Sequence, residues 1–383
     1  MARIREIVPS TQRIRPHKVE DAVTCQYKVI TDESDGTKLV HLSTFGSDQR
    51  ESSPKSSQSL QLTLENAAAL MNILSTAFGF SWRTQPAGAA DESPAEIPDA
   101  TKELAASLYV SKEWLQECVD LLRDRPQLIF YGPPGTGKTY LAKAISRHLS
   151  RPENIRIVQF HPSYSYEDFF EGFRPTQSVD GQLGYHLHWG PLRLLAKEAR
   201  NNPGQIYTLI VDEINRGNLA KIFGELYYLL EYRNESIDLL YSDKVETFRL
   251  PPNVVILGTM NSADRSIALL DSAMRRRFSF VLLHPSEEPT KSMLRKWLDE
   301  QNRDHEPADV LDVLNSMIED HEFKIGPSYF MRASTATKVG MDIAWRTSIL
   351  PSLEEHHYGD PNVDVHDRYA LDAIRERLAD RRE

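Results

Sequence analysis

Cysteine is almost missing from this 383-residue chain; Cys25 and Cys118 are the whole complement. They are far apart, with no Cys or His neighbour at metal-ligand spacing, which excludes a disulfide framework and a cysteine zinc site. Long apolar runs are also lacking. None approaches the roughly 18 residues a membrane span needs, and the opening MARIREIVPS has no apolar stretch of the secretory kind. The expectation is a cytoplasmic protein with no membrane partner. Positive charge is in deficit, with 45 Lys and Arg against 55 Asp and Glu. A formal charge of −10 excludes coating of nucleic acid by bulk electrostatics, so any DNA contact falls to a local patch or a central pore. Repeats of solenoid or propeller period are absent too.

What is present is organised around Gly132 to Thr139, GPPGTGKT, set between the apolar run LIFY and the helical pattern YLAKAISRHL. Strand, glycine-rich loop and helix in that order read as a phosphate-binding loop. Gly132, Gly135 and Gly137 let successive N–H groups turn inward around a polyphosphate, while Pro133 and Pro134 stiffen the approach. Lys138 supplies a point charge for the β- and γ-phosphates, and Thr139 a hydroxyl for Mg²⁺. The following helix aims its positive dipole end at the same anion. With Thr136 inside the loop and Tyr140 opening the helix, these residues form the expected nucleotide-binding set.

Length suggests two or three domains, and a 40% hydrophobic fraction is enough for a sizeable core. Residues 1–82 read as an α+β module: strands in Val23–Thr31 and Lys38–Phe45, a shorter strand SLQLT, then a helix over Leu64–Phe78. Residues 83–103, rich in Pro, Ala and acids, read as a mobile linker. Residues 104–284 form the nucleotide module and 285–383 a helical lid with a polar tail. A helical pattern from Leu104 leads to the loop. The aromatic segment HPSYSYEDFFEGFRP reads either as a helix burying one side or as a loop that stacks on a partner.

The strand Ile206–Val211 ends at Asp212 and Glu213. Downstream of a phosphate loop, such a pair divides the chemistry between them, Asp212 holding the Mg²⁺ shell and Glu213 polarising the attacking water. A further buried strand, VVILGT, ends at Met260 and Asn261, whose amide can orient the water or touch the γ-phosphate. Arg275, Arg276 and Arg277 are the densest basic run. They read as a solvated face, a DNA contact, or a finger reaching a neighbouring subunit's γ-phosphate.

The phosphate loop, VQFHPSYSYEDFFEGFRP, VDEINRGNLAKIFGELYYLLE, TMNSADRSIALLDSAMRRRFSF and IGPSYF together resemble the McrB family. These are AAA+ motor subunits of type IV, modification-dependent restriction systems that hydrolyse GTP. The resemblance implies an α/β AAA+ P-loop module, a parallel sheet sandwiched by helices with a small helical lid. It also implies a homo-hexameric ring, an McrC-like nuclease subunit as partner, and DNA, modified or not, engaged through the N-terminal domain or the ring. Carried onto this chain, Asn261 is the sensor amide, while Asp271, Arg276 and Arg277 match subunit-interface positions. Only the resemblance favours GTP: no Asn-Lys-x-Asp guanine-reading motif is present, and the residues by themselves point to ATP. The first 80 residues do not match the methylcytosine-binding domain of the best-known member. The stretch from Thr44 to Leu74 instead resembles the strand-and-helix unit of single-strand-binding transcriptional coactivators, or else serves protein docking. Two rival readings stand beside the restriction motor, an ATP-driven remodeller and a scaffold held together by nucleotide.

Overall fold

The computed structural model describes residues 2–4, 7, 25–32, 37–45, 56–78, 95–177, 183–241, 247–263 and 272–380. The chain divides into two compact units, Met1–Ala90 and Asp91–Glu383.

In the first unit, β1 (Ala2–Arg3), β2 (Cys25–Thr31), β3 (Lys38–Phe45) and β4 (Ser56–Leu62) form a sheet of order β1-β4-β3-β2. β2 and β3 pair antiparallel from Cys25 opposite Thr44 to Thr31 opposite Lys38, the hairpin that their β-branched residues imply. The two-residue β1, paired parallel to β4, carries no periodicity that a sequence reading could detect. The helix α1 (Leu64–Phe78) contacts β3 and β4. Asn66 is buried and ties the entry of α1 to the start of the chain, its Nδ2 donating to Ile4 O at 2.8 Å.

The second unit opens with residues 95–100, then α2 (Lys102–Ser107) and α3 (Lys112–Asp124). Thr101 and Ser111 cap the two helices by accepting the N–H groups of Leu104 and Trp114. Tyr109 at φ 58° breaks what reads in sequence as one helix. The sequence places residues 95–103 in a mobile linker, but they are packed. Ala100 is buried and its N–H reaches Gln116, Ala95 N–H donates to Pro203 O, and Arg123 holds both Ile97 O and Asp99.

The central layer follows. Its parts are β5 (Gln127–Gly132), α4 (Lys138–Leu149), β6 (Ile155–Gln159), α5 (Tyr166–Phe169), the pair β7 (Glu171–Gln177) and β8 (Leu183–Trp189), α6 (Pro191–Asn201), β9 (Tyr207–Asp212), α7 (Leu219–Phe223), α8 (Leu226–Leu229), the pair β10 (Ile237–Asp238) and β11 (Thr247–Phe248), β12 (Val254–Asn261), α9 (Ser272–Arg277) and β13 (Ser279–Leu282). Five strands pair in parallel in the order β13-β5-β12-β9-β6. Their side chains alternate between two cores, as a pleated sheet covered on both faces requires. Ile129, Leu209, Val211, Val254 and Ile256 face one cluster with α6, α7 and α8; Leu128, Phe130, Ile210, Val255 and Leu257 face another with α3 and α4. Burial of each such side chain stabilises by about 1.5–3 kcal/mol.

The aromatic segment takes neither expected form whole. Tyr166, Phe169 and Phe170 are buried around the short α5, and the chain then turns into the β7–β8 hairpin, which exposes Phe173. At the hairpin base Arg193 of α6 pairs with the fully buried carboxylate of Glu171 and stacks 4.4 Å from the Trp189 ring. The single helix read over Leu219–Leu230 is two short ones, parted at Gly224 with φ 50°.

The lid comprises α10 (Thr290–Glu300), α11 (Glu306–Met317), α12 (Lys338–Ala344), α13 (Leu350–His356), α14 (Val365–Arg368) and α15 (Leu371–Asp380). Its own core gathers Leu294, Leu314, Phe330, Trp345, Ile349 and Ile374. Trp345 is buried there with its indole N–H donating to Tyr369 O at 2.8 Å. No helix among the described residues is long and apolar enough to cross a membrane.

Candidate active site

The C-terminal ends of β5, β9 and β12 lie side by side because Gly132 is in register with Asn261, and Val211 with Gly258. That register brings the phosphate loop, the carboxylate pair and the amide to one edge of the sheet, the place where parallel α/β sheets hold ligands.

The loop between β5 and α4 is closed on itself. Gly137 sits at φ 88°, a left-handed angle that glycine adopts without penalty, and starts α4 directly. Lys138 is buried, its Nζ donating to Gly132 O at 2.9 Å and Pro133 O at 2.7 Å, and the buried Thr136 hydroxyl also donates to Pro133 O. Tyr140 points away, 63% exposed.

Thr139 donates its hydroxyl to Asp212 Oδ1 at 2.7 Å. Two hard oxygen donors thus converge at the head of α4, a pair that suits Mg²⁺, which completes its shell with waters and phosphate oxygens. Glu213 follows at φ 52°, a left-handed angle that costs a non-glycine residue about 1 kcal/mol or more. The strain turns its carboxylate toward Asn261, whose Nδ2 donates to Glu213 Oε1 at 2.8 Å, while Arg216 Nε lies 3.4 Å from Oε2. The predicted loop, carboxylates and amide are therefore gathered in one cluster.

Thr259 was not singled out by sequence reasoning. Its hydroxyl donates to Asp212 Oδ1 and accepts the Glu213 N–H at 3.3 Å, so it holds the Asp212 carboxylate and the Glu213 backbone together. The signal was available: Thr259 stands two residues before Asn261 on one strand, hence on the same face.

The arginines at the end of α9 do not act alike. Arg277 is 11% exposed at its side chain, pairs with Glu231 at 2.7 Å and lies 4.6 Å from the Tyr227 ring centroid. Arg275 and Arg276 are exposed. Asp271 lies outside the described residues.

Against known proteins, residues 127–278 match the family described as AAA domain (dynein-related subfamily), and residues 306–363 match McrB, alpha-helical lid domain. Over 279 residues the chain is 35% identical to the type IV methyl-directed restriction enzyme EcoKMcrB subunit of Escherichia coli, covering 66% of this chain and 59% of that one. The chain is an McrB-like AAA+ protein. The McrB-like module is also 30% identical over 227 residues to the type II restriction enzyme BsuMI component YdiS of Bacillus subtilis, with 49% of this chain and 66% of that one covered. A more distant likeness, 22% over 267 residues, is to a proteasome-associated ATPase of Streptomyces scabiei, covering 63% of this chain and 42% of that one. The chain thus spans about three fifths to two thirds of the length of the two restriction proteins it matches. Sheet, phosphate loop and lid make the McrB-like module an AAA+ P-loop nucleoside triphosphatase in fold.

Proposed function

We propose that the chain is the motor subunit of an McrBC-like restriction complex, a homo-hexameric ring that hydrolyses GTP with Mg²⁺ and drives a separate McrC-like nuclease on DNA. The observation that carries this reading is the conjunction of an McrB-type lid with a complete set at one edge of the sheet, Thr139, Asp212, Glu213 and Asn261. In this reading Lys138 binds the β- and γ-phosphates, Thr139 and Asp212 hold the metal, and Glu213, oriented by Asn261, takes the proton of the attacking water. Arg276 supplies the positive charge for the neighbour's transition state, because its exposure leaves it able to cross an interface while Arg277 is held at home. The N-terminal unit selects the target, and the protein works in the cytoplasm.

A second reading, an ATP-driven remodeller, draws support from the missing Asn-Lys-x-Asp motif and from the likeness to a proteasome-associated ATPase. Steady-state hydrolysis of GTP and ATP, with and without an McrC-like nuclease subunit, separates the two. GTP-selective turnover that rises with protein concentration and with the nuclease supports the restriction motor. ATP-selective turnover indifferent to any nuclease supports the remodeller.

A further inference from the structure

Four successive backbone carbonyls of the phosphate loop, from Gly132 to Gly135, have partners. Gly132 O and Pro133 O accept from Lys138 Nζ, as described above. Pro134 O and Gly135 O accept from the lid: Gly326 N–H donates to the former and Ser328 N–H to the latter, each at 3.0 Å. The approach is so close that a Cβ on Gly326 would overlap the Gly135 carbonyl. The Tyr329 ring and the Ser328 hydroxyl cover the face of Gly135, whose φ is 77°. This lid segment is gripped from behind by the buried Asn315 of α11. Its Nδ2 donates to Ile325 O at 2.9 Å, and its Oδ1 accepts the Ile325 N–H at 2.7 Å.

We propose that Gly326 and Asn315 are positioning residues of the phosphate loop: Asn315 fixes Ile325, and the N–H groups of Gly326 and Ser328 hold the loop carbonyls outward. A loop that cradles an anion must turn its N–H groups inward, and the peptide planes then force the carbonyls out. The lid thereby sets the shape of the phosphate cradle, and phosphate affinity is coupled to where the lid stands. The clamp touches neither Glu213 nor Asn261, so it governs binding and leaves the bond-breaking step intact. The proposal rests on the nucleotide reading of the loop.

The test uses the full chain with Gly326→Ala, Tyr329→Ala and, as a surface control in the lid, Val339→Ala, all checked for wild-type thermal unfolding. Affinities for GTP, ATP and inorganic tripolyphosphate are measured by calorimetry, and turnover is followed to saturation with the preferred nucleotide. The expected result for Gly326→Ala is a loss of about tenfold or more in affinity for nucleotide and tripolyphosphate alike. KM rises with it, and kcat stays within about threefold of wild type. Tyr329→Ala shows the same pattern at smaller size and decides the matter if Gly326→Ala does not fold. Folded variants with wild-type affinities overturn the clamp, as does a loss confined to nucleotide with tripolyphosphate unchanged, which places the effect at the base. If the wild-type chain binds neither nucleotide nor tripolyphosphate, it is the nucleotide reading that falls.

Discussion

The strand tips and the arginine helix differ in how their side chains are fixed. At the tips, Asp212, Glu213, Thr259 and Asn261 are aimed at one another by the parallel register of β9 and β12. On α9, consecutive arginines fan around the helix: Arg277 turns to Glu231 and Tyr227, and Arg276 is exposed. A strand end fixes a side chain by alternation and neighbours in the same sheet. A helix end fixes it only through whatever packs there, so a run of three identical residues splits into different surroundings.

That contrast is broken most sharply at the helix. Arg276→Ala is expected to lower hydrolysis about 1,000-fold with thermal stability unchanged, the scale of a lost arginine finger. Arg277→Ala should instead lose about 1 kcal/mol of stability from its pair with Glu231 and its ring contact, read as an earlier urea midpoint. Equal kinetic losses in the two variants would erase the distinction. At the tips, Glu213→Gln should reduce turnover by about 100-fold or more while nucleotide affinity and assembly persist. Turnover at the wild-type rate in that variant would remove Glu213 from the chemistry.

The fourth expectation concerns an arginine with no part in the site. Arg193→Ala leaves the Glu171 carboxylate buried beside Trp189 without its cation and should cost about 3 kcal/mol in chemical denaturation. The smallest effect is one of pH. Burial lowers the pKa of His284 below its usual 6.5, with the His321 ring stacked on it and Glu287 and Lys324 nearby. Below pH 6.5 the unfolded chain binds the proton more readily than the folded one. Stability from this group is therefore complete above 6.5 and declines as pH falls toward the folded pKa. Thermal melts between pH 5 and 8 should show that slope, and His284→Gln should flatten it.

Much of the site was legible because its signals are local. GPPGTGKT carries its own geometry, and an apolar strand ending in Asp212 and Glu213 needs only one neighbour to give it meaning. The strand order β13-β5-β12-β9-β6 was not legible, since nothing in one strand names its partner. Neither was the break at Tyr109, where no glycine marks the left-handed turn, nor the packing of residues 95–103, whose polar, acid-containing composition resembles a linker while its carbonyls and amides find partners in α3 and beyond. The seating of Gly326 on Gly135 joins positions remote in the chain and has no periodicity to betray it.

A triphosphatase site completed across a subunit boundary makes a sharp demand on mixtures of two inactive chains. Glu213→Gln keeps the arginine and lacks the base; Arg276→Ala keeps the base and lacks the arginine. In a randomly mixed ring about a quarter of the interfaces combine an intact Glu213 with a neighbour's intact Arg276. Turnover of the mixture should therefore rise well above the sum of its parts. A mixture that assembles into rings and remains as inactive as its components would refute completion of the site by the neighbour.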